Sequence, residues 1–193
     1  MLIGKNSVSN MISKLLFVVF GITMLYLLYI LFGFAIAFFN LKTGNTILSE
    51  TFQVKDFGNE FKMINENALG FKFKMPFTES ITKGDFTIEA VVSIIFFLGF
   101  YGIFLFLLGK IFGELGKEKI FSASVVTSLK NFSILNLIFI PLNFVVLVYL
   151  YKSAYHIDFK LLLFHLCIGI LVLFLAELFK KGYELQSEND LTI

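Results

Sequence analysis

The chain has 193 residues, of which 58% are hydrophobic and 16% are charged, with a net charge of +2 and a mean hydropathy of +0.86. Soluble domains are nearer half apolar and a quarter charged, so this composition indicates an integral membrane protein. All 16 basic residues are lysine, which argues against sites that use the planar guanidinium group of arginine to bind phosphate. The small net charge also excludes a strongly basic surface, and we expect no direct binding to nucleic acid.

Four apolar stretches are long enough to cross a bilayer. A transmembrane helix needs about 20 predominantly apolar residues, with about 17 as the minimum. The stretches that qualify are Leu15–Phe39, Ala90–Gly109, Ser133–Leu150 and Leu161–Leu178. The first is too long for the apolar region of a signal peptide, so we expect it to be retained. The sequence therefore predicts an all-α integral membrane protein with four transmembrane helices.

The even number of spans places both termini on one side of the membrane. The lysines divide equally, eight on each side, and do not decide which side that is. We predict cytoplasmic termini because Lys5 and Lys14 precede the first span while Lys180 and Lys181 follow the last. This orientation makes residues 40–88 an extracytoplasmic loop, residues 110–131 a cytoplasmic loop and residues 179–193 a cytoplasmic tail.

The loop between the first two spans contains runs of alternating apolar and polar residues. The apolar side of the longest run, FKFKMPF, comprises Phe71, Phe73, Met75 and Phe77. Phe52–Val54 and Phe61–Met63 alternate in the same way. Period-two alternation is typical of half-buried strands, which predicts a small two- or three-stranded extracytoplasmic cap on the ends of the helices. The alternative is an irregular loop whose aromatic residues dip into the membrane interface.

Two features of the apolar segments predict local packing. Ser122 is a helix N-cap that is preceded by Phe121 and followed by Val126 at the spacing of a hydrophobic staple, so we expect the third helix to begin before the membrane. Gly33 and Ala37 have the small-xxx-small spacing that permits close packing on the first helix.

The third span is the most polar of the four. It contains Asn136, Pro141 and Asn143. Asparagine side chains in a membrane form hydrogen bonds between helices, and we favour this packing role. A polar lining for a small-solute path is the alternative.

Residues that support catalysis or metal binding are scarce. The chain has two histidines and one cysteine, and His165 and Cys167 are two positions apart, so they point to different faces of a helix. This composition is poor for zinc or haem sites. The sequence contains no nucleophile-elbow, P-loop, dinucleotide-binding, HExxH or CxxC motif. We therefore expect no metal, no cofactor and no enzymatic activity.

The last residues, AELFKKGYELQSENDLTI, resemble the ending of a bacterial family of four-span membrane proteins known only as domain of unknown function 2975. The positions that match the family pattern are Gly182, Leu185, Gln186, Glu188, Asn189, Asp190, Leu191 and Thr192. Gly116 and the segment Ile120–Ser122 resemble the inner loop of the same family. This chain departs from the family in its lysine pair before the tail, where relatives often have arginine.

The resemblance implies a multi-pass protein of the bacterial cytoplasmic membrane without an established activity. Its members are similar to membrane proteins encoded beside short helix-turn-helix regulators. A non-enzymatic regulatory protein that binds such a regulator through its tail is therefore the leading hypothesis. The alternatives are a small-solute transporter or immunity-type membrane protein, and a structural membrane subunit.

Overall fold

The computed structural model describes residues 7–57, 69–151 and 158–190, and the side chains of 149–151 and 190 are outside this description. The elements in chain order are α1 (Val8–Thr43), β1 (Phe52–Lys55), β2 (Gly70–Lys74), β3 (Ile81–Asp85), α2 (Ile88–Leu115), α3 (Ala123–Tyr151) and α4 (Phe159–Asp190).

All four helices are long and apolar enough to cross a membrane. Each predicted span lies inside one helix, and each helix continues beyond the predicted span, most clearly α4, which extends from Leu178 to Asp190. Together with the sheet between α1 and α2, this confirms the predicted fold class. The protein is a multi-pass membrane protein.

The chain forms two compact units. Residues 1–21 and 101–193 make up the first, which we call the helical unit, and residues 22–100 make up the second, which we call the sheet unit. Both α1 and α2 run through the two units.

The sheet unit contains a three-stranded antiparallel sheet with the order β1-β2-β3. Phe52 pairs with Phe73, and Phe73 pairs with Thr82 on the other side. The strand predictions at residues 52–54 and 71–74 are therefore correct. The predicted strand at residues 61–63 lies outside the described residues, and the sequence did not predict β3.

Phe77 does not continue the apolar face of β2 as predicted. The strand ends at Lys74, and the backbone N–H of Met75 donates to the Ser80 carbonyl at 2.9 Å, which closes a turn. Pro76 has no N–H to contribute to a longer ladder. Phe77 consequently lies in the turn and is fully exposed.

We predicted that the sheet lies on the ends of the helices, whereas its buried residues pack along the side of α1. The core between the helix and the sheet consists of Ile30, Phe34 and Ala37 of α1 together with Phe52, Phe71 and Phe73 of the sheet. A Cβ atom at Gly33 would lie 2.7 Å from the Phe52 ring and 2.9 Å from the Phe73 ring. The predicted close-packing face at Gly33 and Ala37 is thus real, but it receives aromatic rings of the sheet.

The helical unit has its own core. Its buried apolar residues are Ile111 of α2, Val125, Leu129 and Phe132 of α3, and Ala176 of α4. The predicted cap of α3 is confirmed, because the Val125 N–H lies 3.4 Å from Ser122 Oγ. Lys130 of α3 also forms a 3.0 Å ion pair with Glu177 of α4.

Candidate functional site

A chain of hydrogen bonds lies buried in the helical unit. The Asn136 side chain donates through Nδ2 to the Phe132 carbonyl at 2.8 Å, which aims its Oδ1 atom at α4. There, His165 Nδ1 lies 2.8 Å from Asn136 Oδ1. His165 and Asn136 are completely buried, so these bonds satisfy groups that would otherwise be desolvated without partners.

The bond to Asn136 fixes the histidine tautomer. Because Asn136 Oδ1 is an acceptor, Nδ1 of the neutral ring must carry the proton, and Nε2 is the acceptor. The Tyr101 hydroxyl of α2 lies 3.5 Å from Nε2, and the centroid of the Phe139 ring lies 4.2 Å from that of the imidazole, with the two rings tilted by 44°. The network therefore connects three helices through one imidazole.

A second polar contact brings α3 and α4 close together. Ser133 Oγ donates to the Gly169 carbonyl at 2.7 Å. A Cβ atom at Gly169 would lie only 2.8 Å from the Leu137 side chain. Asn143 is also buried. Ser133, Asn136 and Asn143 thus lie inside the helix packing, as the packing interpretation of this span expects.

The first turns of α1 contact the end of α2 through glycines. Asn10 Nδ2 donates to the Gly116 carbonyl at 3.3 Å, and Ser13 Oγ donates to the Gly109 carbonyl at 2.8 Å. A Cβ atom at Gly116 would lie 1.9 Å from Asn10 Oδ1. Gly116, one of the residues in the family resemblance, therefore leaves room for the Asn10 side chain of α1.

The loop between α2 and α3 and the tail meet at an aromatic contact. The Phe121 ring lies 5.3 Å from the Phe179 ring of α4, measured between centroids. A Cβ atom at Gly182 would lie 2.6 Å from Phe121 Cδ1. We call Phe121, Phe179 and Gly182 the tail seat. The two segments that resemble the family, Ile120–Ser122 and the tail, are thus in direct contact.

The structure places the tail residues on the last turns of α4, because the helix continues through the tail. Gly182 and Gln186 are half-buried, while Leu185, Glu188 and Asn189 are exposed. Asp190 is the last helical residue, and Leu191 and Thr192 lie outside the described residues. Leu185 and Glu188 are three positions apart and share one face of the helix.

Two features of this arrangement were not predicted. His165 was considered only as a possible metal ligand, and its partner Asn136 is 29 positions away. Phe121 was considered only as the partner of Val126 in a staple, and the packing of its ring on Phe179 of α4 was not predicted. Within the described ranges, no group of three or more His, Cys, Asp or Glu side chains could hold a metal ion.

Comparison with known proteins gives one match. The family described as "Protein of unknown function (DUF2975)" matches residues 66–193. No curated protein and no solved structure matches the chain. The match includes α2, α3 and α4 together with the tail seat.

Proposed function

The chain belongs to the DUF2975 family, and we propose that it is a non-enzymatic regulatory protein of the bacterial cytoplasmic membrane that holds a cytosolic helix-turn-helix regulator. In this proposal both termini are cytoplasmic, and the partner binds the last turns of α4. The observation that carries the proposal is the tail seat, which connects the resembling segments of the inner loop and the tail.

The tail seat gives the end of α4 a fixed direction. Residues 179–190 continue the helix beyond the predicted span, which adds about 18 Å at 1.5 Å per residue. Phe121 lies two residues before the first residue of α3, so the contact with Phe179 and Gly182 attaches this extension to the start of α3. A displacement of α3 against α4 would therefore change how the extension is presented.

The extension has the chemistry to contact a basic protein surface. Leu185 is 63% exposed and supplies an apolar anchor. Glu188 is exposed on the same face, and Glu184 lies one position before Leu185. The DNA-binding surface of a small regulator is basic because it neutralises phosphates. Capture by the extension would compete with DNA for that surface.

Regulation requires two states with different affinities for the partner. The buried network of Tyr101, Asn136 and His165 lies between three helices of the same unit. A change in helix packing there would be transmitted along α3 and α4 to the tail seat. The burial of Asn136 and Ser133 against α4 supports this packing role over the small-solute path.

The proposal is tested by partner capture in membranes. Tagged full-length protein and a variant lacking residues 187–193 are cross-linked in cells and purified, and a helix-turn-helix protein is sought in both samples. We expect the full-length chain to capture the regulator and the shortened chain to lose it. Raised salt should weaken the complex because exposed charges are screened.

A charge variant separates loss of binding from loss of folding. Glu184→Lys with Glu188→Lys keeps the helix length and should abolish capture. Lys160→Glu changes an exposed charge at the other end of α4 and should leave capture intact. The same regulator recovered with full-length and shortened chains would contradict the proposed role of the tail.

A further inference from the structure

The turn between β2 and β3 presents an aromatic ring to its surroundings. Phe77 is fully exposed and has a φ angle of +62°. This left-handed conformation costs a non-glycine residue about 1–3 kcal/mol, so the turn holds the ring outward against a local preference. The two ends of the turn are joined by hydrogen bonds, because Met75 N–H donates to the Ser80 carbonyl at 2.9 Å and Ser80 N–H donates to Thr78 Oγ1 at 3.3 Å.

Contacts with α1 give the height of this turn along the helix. The residues that flank the turn are Lys74 and Thr82. The Tyr26 hydroxyl lies 3.0 Å from Thr82 Oγ1, and the Tyr29 hydroxyl donates to the Lys74 carbonyl. Helical side chains point towards the N-terminus of their helix. The turn therefore reaches at least the level of Tyr26 and Tyr29, away from the C-terminal end of α1.

That level lies at bilayer depth. No charged residue occurs in α1 between Lys14 and Lys42. A helix crosses the hydrocarbon core with about 20 residues. Whichever segment of about that length between residues 15 and 41 lies in the core, it includes residues 22–34. At this height α1 exposes Leu25 and Leu28, whose side chains are 69% and 62% accessible. The turn is therefore at the depth where α1 meets lipid.

The outer face of the sheet has four lysines and one carboxylate, Asp85, which pairs with Gly70. The pairing of β2 with β3 places Lys72 opposite Lys83, and Lys74 and Lys55 lie on the same face because strand residues alternate. Lys74 and Lys83 are exposed. Lysine stems lie along apolar surfaces while their ammonium groups reach towards polar surroundings. In a bilayer, the ammonium groups of Lys74 and Lys83 would be directed to phosphate headgroups, whereas those of Lys55 and Lys72 lie over the Phe57 ring at 5.1 and 4.3 Å.

We propose that the β2–β3 turn inserts into the leaflet at the C-terminal end of α1 and binds anionic lipid. Phe77 contacts the acyl chains, and the lysines of the outer face contact the headgroups. The sheet is then a lipid-contacting element, independent of any partner at the tail.

Tryptophan fluorescence tests the insertion because the chain contains no tryptophan. Full-length Phe77→Trp is reconstituted into vesicles that contain phospholipids brominated along the acyl chain. We expect blue-shifted emission, strong quenching by the brominated lipids and weak quenching by acrylamide in the water phase. Leu25→Trp is the lipid-exposed control, and Glu50→Trp, at an exposed position before β1, is the aqueous control.

Two outcomes would overturn the insertion. One is emission and acrylamide quenching equal to those of Glu50→Trp, which would place the ring in water. The other is blue-shifted emission that brominated lipids do not quench and that disappears as the protein is diluted in lipid. The ring would then be covered by a second copy of the chain.

The contact between the lysines and the lipid headgroups is tested by a separate measurement. Quenching of Phe77→Trp is compared in vesicles of phosphatidylcholine alone and with phosphatidylglycerol added. We expect stronger quenching with the anionic lipid, and equal quenching in both vesicles once Lys74→Gln and Lys83→Gln are introduced. An anionic-lipid effect that survives these substitutions, or that never occurs, would overturn the role of the lysines.

Discussion

Gly182 shows how one missing methyl group determines a contact between two segments. A Cβ atom at this position would lie 2.6 Å from Phe121 Cδ1, whereas a Cβ atom at Gly21 would have no neighbour within 4 Å. Both glycines lie inside helices. The same substitution at the two positions should therefore have opposite effects.

We expect Gly21→Ala to leave the melting temperature in detergent unchanged or raise it, because alanine is favoured over glycine in helices by about 0.5–1 kcal/mol. Gly182→Ala should lower it, because overpacking costs about 1–3 kcal/mol. Phe121→Ala added to Gly182→Ala should recover part of the loss, since the ring is removed. Equal effects of the two alanines would show that the tail seat is not tightly packed.

His165 is the other residue whose surroundings determine its role. Its Nδ1 proton goes to Asn136 Oδ1 at 2.8 Å in a site without solvent access. Removal of one partner leaves the other without a hydrogen bond, and this costs more than replacement of both.

We expect Asn136→Leu to destabilise the protein by about 1–3 kcal/mol, the usual cost of an unsatisfied buried group. His165→Phe combined with Asn136→Leu should cost less than the sum of the single changes. Thermal unfolding in detergent measures the coupling free energy between the two substitutions. Asn143→Leu is the control at a buried asparagine outside the network. If Asn136→Leu changes solute uptake by vesicles while the protein remains folded, the small-solute path would be favoured.

At the level of elements, the start of α3 depends on one side chain. Ser122 Oγ accepts a hydrogen bond from the Val125 N–H at 3.4 Å, and the Ser122 carbonyl accepts one from the Val126 N–H at 3.2 Å. Val125 and Val126 are buried immediately afterwards. Loss of the cap would therefore disturb the part of α3 that packs in the core.

Ser122→Ala should lower the free energy of unfolding by about 0.5–2 kcal/mol, the usual effect of an N-cap loss. Thr127→Ala is a matched control one turn later, because Thr127 is exposed and its hydroxyl bonds only within the helix, to the Ala123 carbonyl at 2.8 Å. Chemical denaturation of both variants is the measurement. A larger effect at Thr127 than at Ser122 would contradict the cap.

The elements also show which parts of the structure the sequence could predict. Long apolar runs and the alternation around Phe71 and Phe73 depend on local periodicity, and these predictions were correct. In β3 the sequence ITKGD contains glycine and little apolar alternation, so its pairing with β2 had no local signal. The partners of His165 and Phe121 depend on which helices pack together, and no spacing along the chain contains that information.

For the whole molecule, the orientation in the membrane is the property with the widest consequences. Cysteine labelling tests the orientation, and Cys167 is first replaced by alanine because it is exposed and would itself react. Single cysteines at Met11, which is 67% exposed, and at exposed Ser187 should be protected from an impermeant thiol reagent in intact cells. A cysteine at Glu50 should be labelled. The reverse labelling pattern would invert the predicted topology and remove the tail from the cytosol.

The packing of the sheet on α1 limits where a shortened chain can begin. The family match begins at residue 66, whereas β2 needs β1 as its neighbour and buries Phe71 and Phe73 against α1. A fragment cut where the similarity starts would expose both phenylalanines beside an unpaired strand, a surface that favours aggregation. The smallest transplantable piece that contains β2 must therefore begin before the similarity does, with α1 included.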